Sequence, residues 1–193
     1  MLERYFLSIE NEVNRLYEVA RAARSMGLDP TLDVEIPRAE DLAERVEGLV
    51  GPKGIAEEIR SLEKSIEHRE ILAVKIAEEI IEGKFGKMSE EEAVEQAIRT
   101  SLAIVTEART AAAFLEGVTQ VKIKRNQDGS RYLAIYYASP IRAAGGTAQV
   151  FSVLVGDYIR RKLYLSEYKP KEEEVERFIE EVELYQTEVT RLQ

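Results

Sequence analysis

The chain has 193 residues, of which 45% are hydrophobic, 33% charged and 7% aromatic, with no cysteine and a net charge of −9. That length suffices for one domain, or one domain with an appendage, and the composition argues against wholesale disorder, a disulfide framework or a thiolate metal site. The apolar runs are too short to cross a bilayer, and the opening MLERYFLSIENEV mixes charges too freely for a signal peptide, so a soluble, intracellular protein is expected.

Leu2, Tyr5, Phe6, Ile9, Val13, Leu16, Ala20 and Ala23 recur at helical steps, which predicts a first helix ending at Gly27. Pro30 and Pro37 bracket a linker, and Pro37 opens a second helix that ends near Gly48–Gly51. After the break GPKG, a run to about Gly83 alternates steps of four and three: Ile55, Ile59, Leu62, Ile66, Arg69, Ala73, Ile76, Ile80. The spacing predicts one long helix packed in coiled-coil fashion, with Arg69 as its misfit. Ile55, Ile59, Leu62, Ile66, Ala73 and Ile76 are therefore the expected oligomer interface, against a second copy or another subunit. Ile71, Leu72, Val74 and Ile81 widen the stripe, which implies burial on more than one side.

Ser89 and Glu92 form a capping box that opens a fourth helix, expected to run to Gly117. The period then changes to alternation, and VTQVKIKRNQDGSRYLAIYY reads as a hairpin. A two-residue turn on Asp128-Gly129 would mix polar and apolar side chains on each face. A type I turn from Asn126, with Gly129 in the left-handed bulge position, instead pairs Ile123 with Leu133 and Val121 with Ile135. That register leaves Lys122, Lys124, Tyr132 and Tyr136 together on the other face, and it is the one expected. A helix from about Ala148 to Leu163 follows, with Arg160, Arg161 and Lys162 at its far end. A last helix begins after Pro170 and is still amphipathic at Gln193, as in a piece of a longer chain. The expected fold is mainly α: a helical body with long amphipathic helices and a small antiparallel β-hairpin. Its expected regions are 1–116, helical bundle; 117–146, hairpin and glycine corner; and 147–193, C-terminal helices.

Charge is unevenly placed. Nine basic residues stand against three acidic ones between Val118 and Lys169, a balance of +6 there and −15 elsewhere. This is the pattern of a localised polyanion site. Gly145-Gly146-Thr147, with Arg142 before it, offers backbone N–H groups and a guanidinium to a phosphate at a helix start. A nucleotide phosphate loop would also need a lysine there, so a sharp turn into a buried helix competes with the phosphate reading. Tyr132 and Tyr136 beside Lys122 and Lys124 suit base stacking with phosphate contact, or a ring cover for a neighbouring helix. The sole histidine, His68, has no evident catalytic partner, and the five aspartates are scattered.

The stretch IYYASPIRAAGGTAQVFSVLVGDYIRRKL, the following YKPKEEEVERFIEEVELY and the hairpin VKIKRNQDGSRYLAIYY resemble the N-terminal region of the large subunit of the archaeal family D DNA polymerase. The helical first hundred residues are similar to that family too, so the resemblance covers the chain; it departs at Lys171, where a small hydroxyl residue is the family's helix cap. The Lys/Glu-rich, cysteine-free composition fits a hyperthermophile source. The resemblance implies a cytoplasmic, nucleoid-associated replication protein that polymerises DNA together with a smaller subunit bearing the 3′–5′ exonuclease. It also places the catalytic aspartates with their Mg, and the zinc-binding cysteines, beyond this segment, which would itself hold no cofactor. The expected role is a non-catalytic scaffold that also binds DNA, through Lys122, Lys124, Arg142, Gly145, Gly146, Thr147, Arg160, Arg161 and Lys162. The alternative is a subunit-assembly or oligomerisation module without DNA contact.

Overall fold

The computed structural model describes residues 2–28, 39–106, 108–138, 141–142 and 146–191. The chain divides into two compact units, Met1–Ala39 and Glu40–Gln193. The described part of the first unit is helix α1, Leu2–Ser25. It closes in a Schellman motif: Gly27 takes φ 73°, its N–H donates to the Arg24 carbonyl, and the Leu28 N–H donates to that of Ala23. Tyr5, Phe6, Leu7, Leu16 and Val19 are exposed along it. Pro30 and Pro37, expected to bracket a linker with Pro37 opening the second helix, lie outside the described residues; the next described helix begins at Leu42, capped by Asp41.

The second unit holds α2 (Leu42–Leu49), α3 (Ile55–Glu63), α4 (Arg69–Ile81), α5 (Glu90–Val105), α6 (Ala108–Gly117), β1 (Val118–Arg125), β2 (Arg131–Tyr137), α7 (Gly146–Lys162) and α8 (Glu172–Arg191). The fold is mainly α with one two-stranded antiparallel sheet, as the sequence pattern implied. Helix α5 is its axis. The Ser89 capping box starts it, and Thr100 to Ile104 are all buried, so its second half is enclosed on every side. It packs on α2, α4, α6, α7 and β1. Two hydroxyls brought inside are satisfied: Ser101 donates to the Ala73 carbonyl at 3.0 Å, and the Ser152 hydroxyl sits 2.7 Å from that of Tyr137.

Two expected helices are each divided. The long run from Ile55 to Gly83 turns at Lys64–His68, and His68 is the exposed N-cap residue of α4. The Leu62 carbonyl takes the N–H groups of Ser65 and Ile66 and the Ser65 hydroxyl, so a serine side chain competes with helical bonding there. The turn also removes Arg69 from a core position. Ile55, Ile59, Ala73 and Ile76 are 0% exposed, and Leu62 and Ile66 pack half-buried on the same core. Ile55, Ile59, Ala73 and Ile76, expected in an oligomer interface, are thus spent inside the domain, and of the six only Leu62 and Ile66 keep partial exposure. The helix expected from Ser89 to Gly117 likewise ends at Thr106, whose backbone is extended and whose hydroxyl bonds the Leu102 carbonyl at 2.6 Å. The Arg45 guanidinium holds the open carbonyls of Ala103 and Thr106, each at 3.0 Å.

The hairpin has the expected register. Ile123 pairs with Leu133 and Val121 with Ile135, and Gly129 takes φ 82° at the turn, where its N–H bonds the Asn126 carbonyl. Its dry face meets α7 at Gly156, where an added Cβ would fall 2.6 Å from the Ile135 Cδ1. Gly117 meets less yielding atoms: a Cβ there would lie 2.7 Å from the Ile141 Cβ and 3.2 Å from the Ile141 backbone nitrogen. Ile135 can swing its terminal methyl away, whereas the Ile141 backbone cannot yield. Gly117→Ala is therefore expected to cost about 1–3 kcal/mol. Gly156→Ala should cost under about 1 kcal/mol, because the helix gains from alanine. Urea unfolding of the two variants measures the contrast, and equal losses would contradict it.

Candidate functional site

The basic segment is built on two supports. The first is the β-hairpin beside α5. Glu91 and Glu95, one helical turn apart, accept the outward N–H groups of Ile123 at 2.8 Å and Val121 at 3.3 Å. Arg99, a further turn along, donates to the Val118 carbonyl at 2.7 Å and pairs with Glu95 at 3.1 Å. These three side chains close the edge of β1, a position that otherwise presents free donors and acceptors. Glu91 also pairs with Lys122 at 3.2 Å, and Glu90 pairs with Arg131 at 2.7 Å. The backbone bond from Ile123 and then the Lys122 ammonium lower the Glu91 carboxyl pKa.

Lys124 projects from the same face as Lys122, and its Nζ stands 5.0 Å from the centre of the Tyr136 ring. Tyr132 packs on Tyr168, with ring centres 4.9 Å apart and planes tilted by 52°. At the hairpin tip, the buried Asn126 side chain donates to the Ser130 hydroxyl and the Glu167 carbonyl and accepts from the Lys169 N–H. Asp128 pairs with Lys169, and the ammonium together with the Ser130 hydroxyl and N–H holds its carboxyl well below the usual range. The hairpin thus fastens the segment that leads into α8.

The second support is the end of α7. Arg160 is mostly buried and works as a staple, donating to Asp157 and to the Leu165 carbonyl, both at 2.8 Å, with Glu167 at 3.5 Å. The helix closes in the same motif as α1, with the Tyr164 N–H on the Arg161 carbonyl and the Leu165 N–H on that of Arg160. Tyr164 occupies the left-handed position at φ 54°, where a glycine usually stands. Arg161 is exposed and pairs with Asp157 at 2.8 Å. Lys162 reaches across to Glu78 on α4, with the Tyr158 ring 5.9 Å from its Nζ.

The expected nucleic-acid residues consequently fall in two groups. Lys122 and Lys124 stand on the hairpin face opposite the one that receives Gly156 of α7, and Arg160 to Lys162 stand at the end of α7. Of the nine basic residues between Val118 and Lys169, six are in ion pairs: Lys122, Arg131, Arg160, Arg161, Lys162 and Lys169. Arg142, Gly146 and Thr147 are exposed, and Arg142 makes no ion pair among the described residues. Gly145 lies outside the described residues. Glu78, Glu90, Glu91 and Glu95 were missed as partners by sequence reasoning. Only the four-residue spacing of Glu91, Glu95 and Arg99 pointed to a common edge. Among the described residues no group of three or more His, Asp or Glu stands where it could hold a metal ion. No helix of the described residues is long and apolar enough to cross a membrane.

The Lys162 ammonium and then that of Lys75, at 2.8 Å, hold the Glu78 carboxyl down to about 2. A carboxyl lowered by folding stabilises the fold above its ordinary value, near 4.5, and loses that contribution as pH falls towards 2. Glu78→Gln should be less stable than the parent at neutral pH, with the gap narrowing from pH 4.5 towards pH 2. Urea titrations across that interval read the gap, and a constant difference would contradict the assignment.

Comparison with known proteins places the whole chain. The family model described as DNA polymerase II large subunit DP2, N-terminal, matches residues 4–193. The chain is 57% identical over 195 residues to the DNA polymerase II large subunit of Thermococcus kodakarensis, across 100% of this chain and 11% of that protein. It is 56% identical to that of Pyrococcus horikoshii over 195 residues, 100% of this chain and 14% of the relative. It is 54% identical to that of Methanococcus vannielii over 189 residues, 98% of this chain and 16% of the relative. The chain thus spans a small part, 11–16%, of the length of these curated relatives. By both the family match and these relatives, the chain belongs to the archaeal DNA polymerase II large subunit family and corresponds to its N-terminal region.

Proposed function

We propose that this chain is a non-catalytic scaffolding module of a DNA-directed DNA polymerase large subunit. It holds its parent assembly together, and nucleotide transfer is carried by residues elsewhere in the parent polypeptide. The observation that carries the reading is the pairing of six of the nine basic side chains in Val118–Lys169 with the chain's own carboxylates. A phosphate would have to displace those carboxylates, and the chain's net charge of −9 repels a polyanion. Exposed apolar side chains support assembly: Ile71 on α4 and Val150, Val153 and Leu154 on α7 are each more than half exposed. With Val74, Phe151 and Tyr158, Ile71 and Leu154 line an open apolar groove of about 500 Å³. In this reading Mg and Zn are held elsewhere in the parent subunit, the 3′–5′ exonuclease belongs to a smaller partner subunit, and the assembly works in the cytoplasm on the chromosome.

One observation favours a second reading, in which the hairpin's outer face holds single-stranded DNA. Lys124 lies over Tyr136, which is 38% exposed, so a ring and a cation stand together there. Fluorescence anisotropy with labelled duplex and single-stranded DNA, at about 50 mM and about 200 mM salt, separates the two. The scaffold reading expects dissociation constants weaker than about 10⁻⁴ M at the higher salt for both DNAs. It also expects no change on replacing the exposed cations in Lys124→Ala/Arg142→Ala/Arg161→Ala. Tight binding that falls steeply with salt, and less steeply in that variant, would overturn it.

A further inference from the structure

Helix α8 carries an apolar stripe that no described residue covers. Val175, Phe178, Ile179 and Val182 lie on one face and are 46%, 72%, 56% and 53% exposed. An open, almost wholly apolar hollow of about 520 Å³, lined among others by Tyr168, Pro170, Val175 and Phe178, continues the stripe to the foot of the helix. That foot is fixed. Tyr168 packs on Tyr132, and its hydroxyl donates to Glu174. Glu174 also accepts the Lys171 N–H at 3.0 Å, so the first turn is capped without a hydroxyl residue at Lys171. Asn126 and Asp128 hold Lys169 immediately upstream. The helix is an anchored arm that presents one greasy face.

Its borders are mainly acidic, with Arg177 beside the hollow and paired with Glu181 at 3.2 Å. At ~100° per residue, Glu172, Glu176 and Glu183 line one side of the stripe and Glu174 and Glu181 the other. Across Glu172–Arg191, eight glutamates stand against two arginines, a balance of −6. A second copy of α8 laid on this face, parallel or antiparallel, would set glutamates against glutamates on both sides. An anionic membrane surface would be repelled in the same way. The apolar stripe requires cover, and the acidic borders determine what can provide it.

We infer that α8 is a docking arm for an amphipathic helix of opposite charge, apolar along its seam and bordered by lysine or arginine. The inference deepens the assembly reading, on which it rests, by naming the chemistry of one partner. Apolar contact supplies the adhesion and the borders select the occupant, as charged flanks do in paired helices.

The test uses the whole chain and two three-heptad probe peptides with leucine at a and d, one with lysine and one with glutamate at e and g. Binding is followed by anisotropy of the labelled peptide at about 50 mM and about 500 mM salt. The lysine peptide is expected to bind at least about tenfold tighter than the glutamate peptide at low salt, with the preference shrinking at high salt. Phe178→Asp/Val182→Asp should abolish its binding and leave the thermal midpoint unchanged, because both side chains are exposed. Equal binding of the two peptides, binding of neither, or dimerisation of the chain that Phe178→Asp/Val182→Asp abolishes would each overturn the inference. DNA binding by the parent chain would overturn the assembly reading while leaving the peptide comparison intact.

Discussion

The ladder of Glu91, Glu95 and Arg99 along the edge of β1 is the interaction on which the rest of the structure depends. Four residues of helix advance about 6 Å, and two residues of strand advance about 6.8 Å. Carboxylates one helical turn apart therefore meet alternate outward N–H groups of a strand running beside them. This match lets a lone two-stranded sheet, which has little stability by itself, attach to a helical body. With β1 fixed to α5, the dry face of the hairpin lies under α7 at Gly156, and its tip holds the segment from Ser166 to Lys169. The direction in which α8 leaves the domain follows from that chain of contacts.

The same ladder belongs to a wider arrangement of charge. The sequence gathers positive charge late in the chain, and the fold returns negative charge to it from α4 and α5. Glu78 takes Lys162, Glu90 takes Arg131 and Glu91 takes Lys122. Exposed pairs of this kind contribute little singly at room temperature, and more where they form networks at high temperature. Their functional consequence is larger. A surface whose cations already have carboxylate partners is a poor phosphate binder.

Much of the fold was legible in the sequence where local chemistry decided it. The hairpin register followed from one dry face and one left-handed glycine, and the Ser89 capping box and the stop at Gly27 were read from the residue types those ends require. The breaks at Lys64–His68 and at Thr106 were not legible. A four-three alternation is the same whether a stripe packs on a partner or turns back into its own core. The Arg45 guanidinium that closes the end of α5 lies 58 residues from Ala103, beyond any local pattern. At the candidate site the basic residues were legible as types, but their ion pairs were not, because each partner sits on another element or at a spacing that also serves the helix itself. The left-handed Tyr164 gave no sequence signal, since the position it fills ordinarily calls for glycine.

The central claim is that this chain's carboxylates occupy the ground a phosphate would need. It is tested most directly by freeing cations without adding any. Glu78→Gln/Glu90→Gln/Asp128→Asn releases Lys162, Arg131 and Lys169. Glu172→Gln/Glu173→Gln/Glu176→Gln on α8 removes the same charge from residues that hold none of those three cations. In duplex-binding titrations against salt, the first variant should bind more tightly than the second, with a log–log slope steeper by about 2–3, since each phosphate met adds about 0.9. Two variants with the same affinity and slope would mean that only net charge matters, and the account would be wrong.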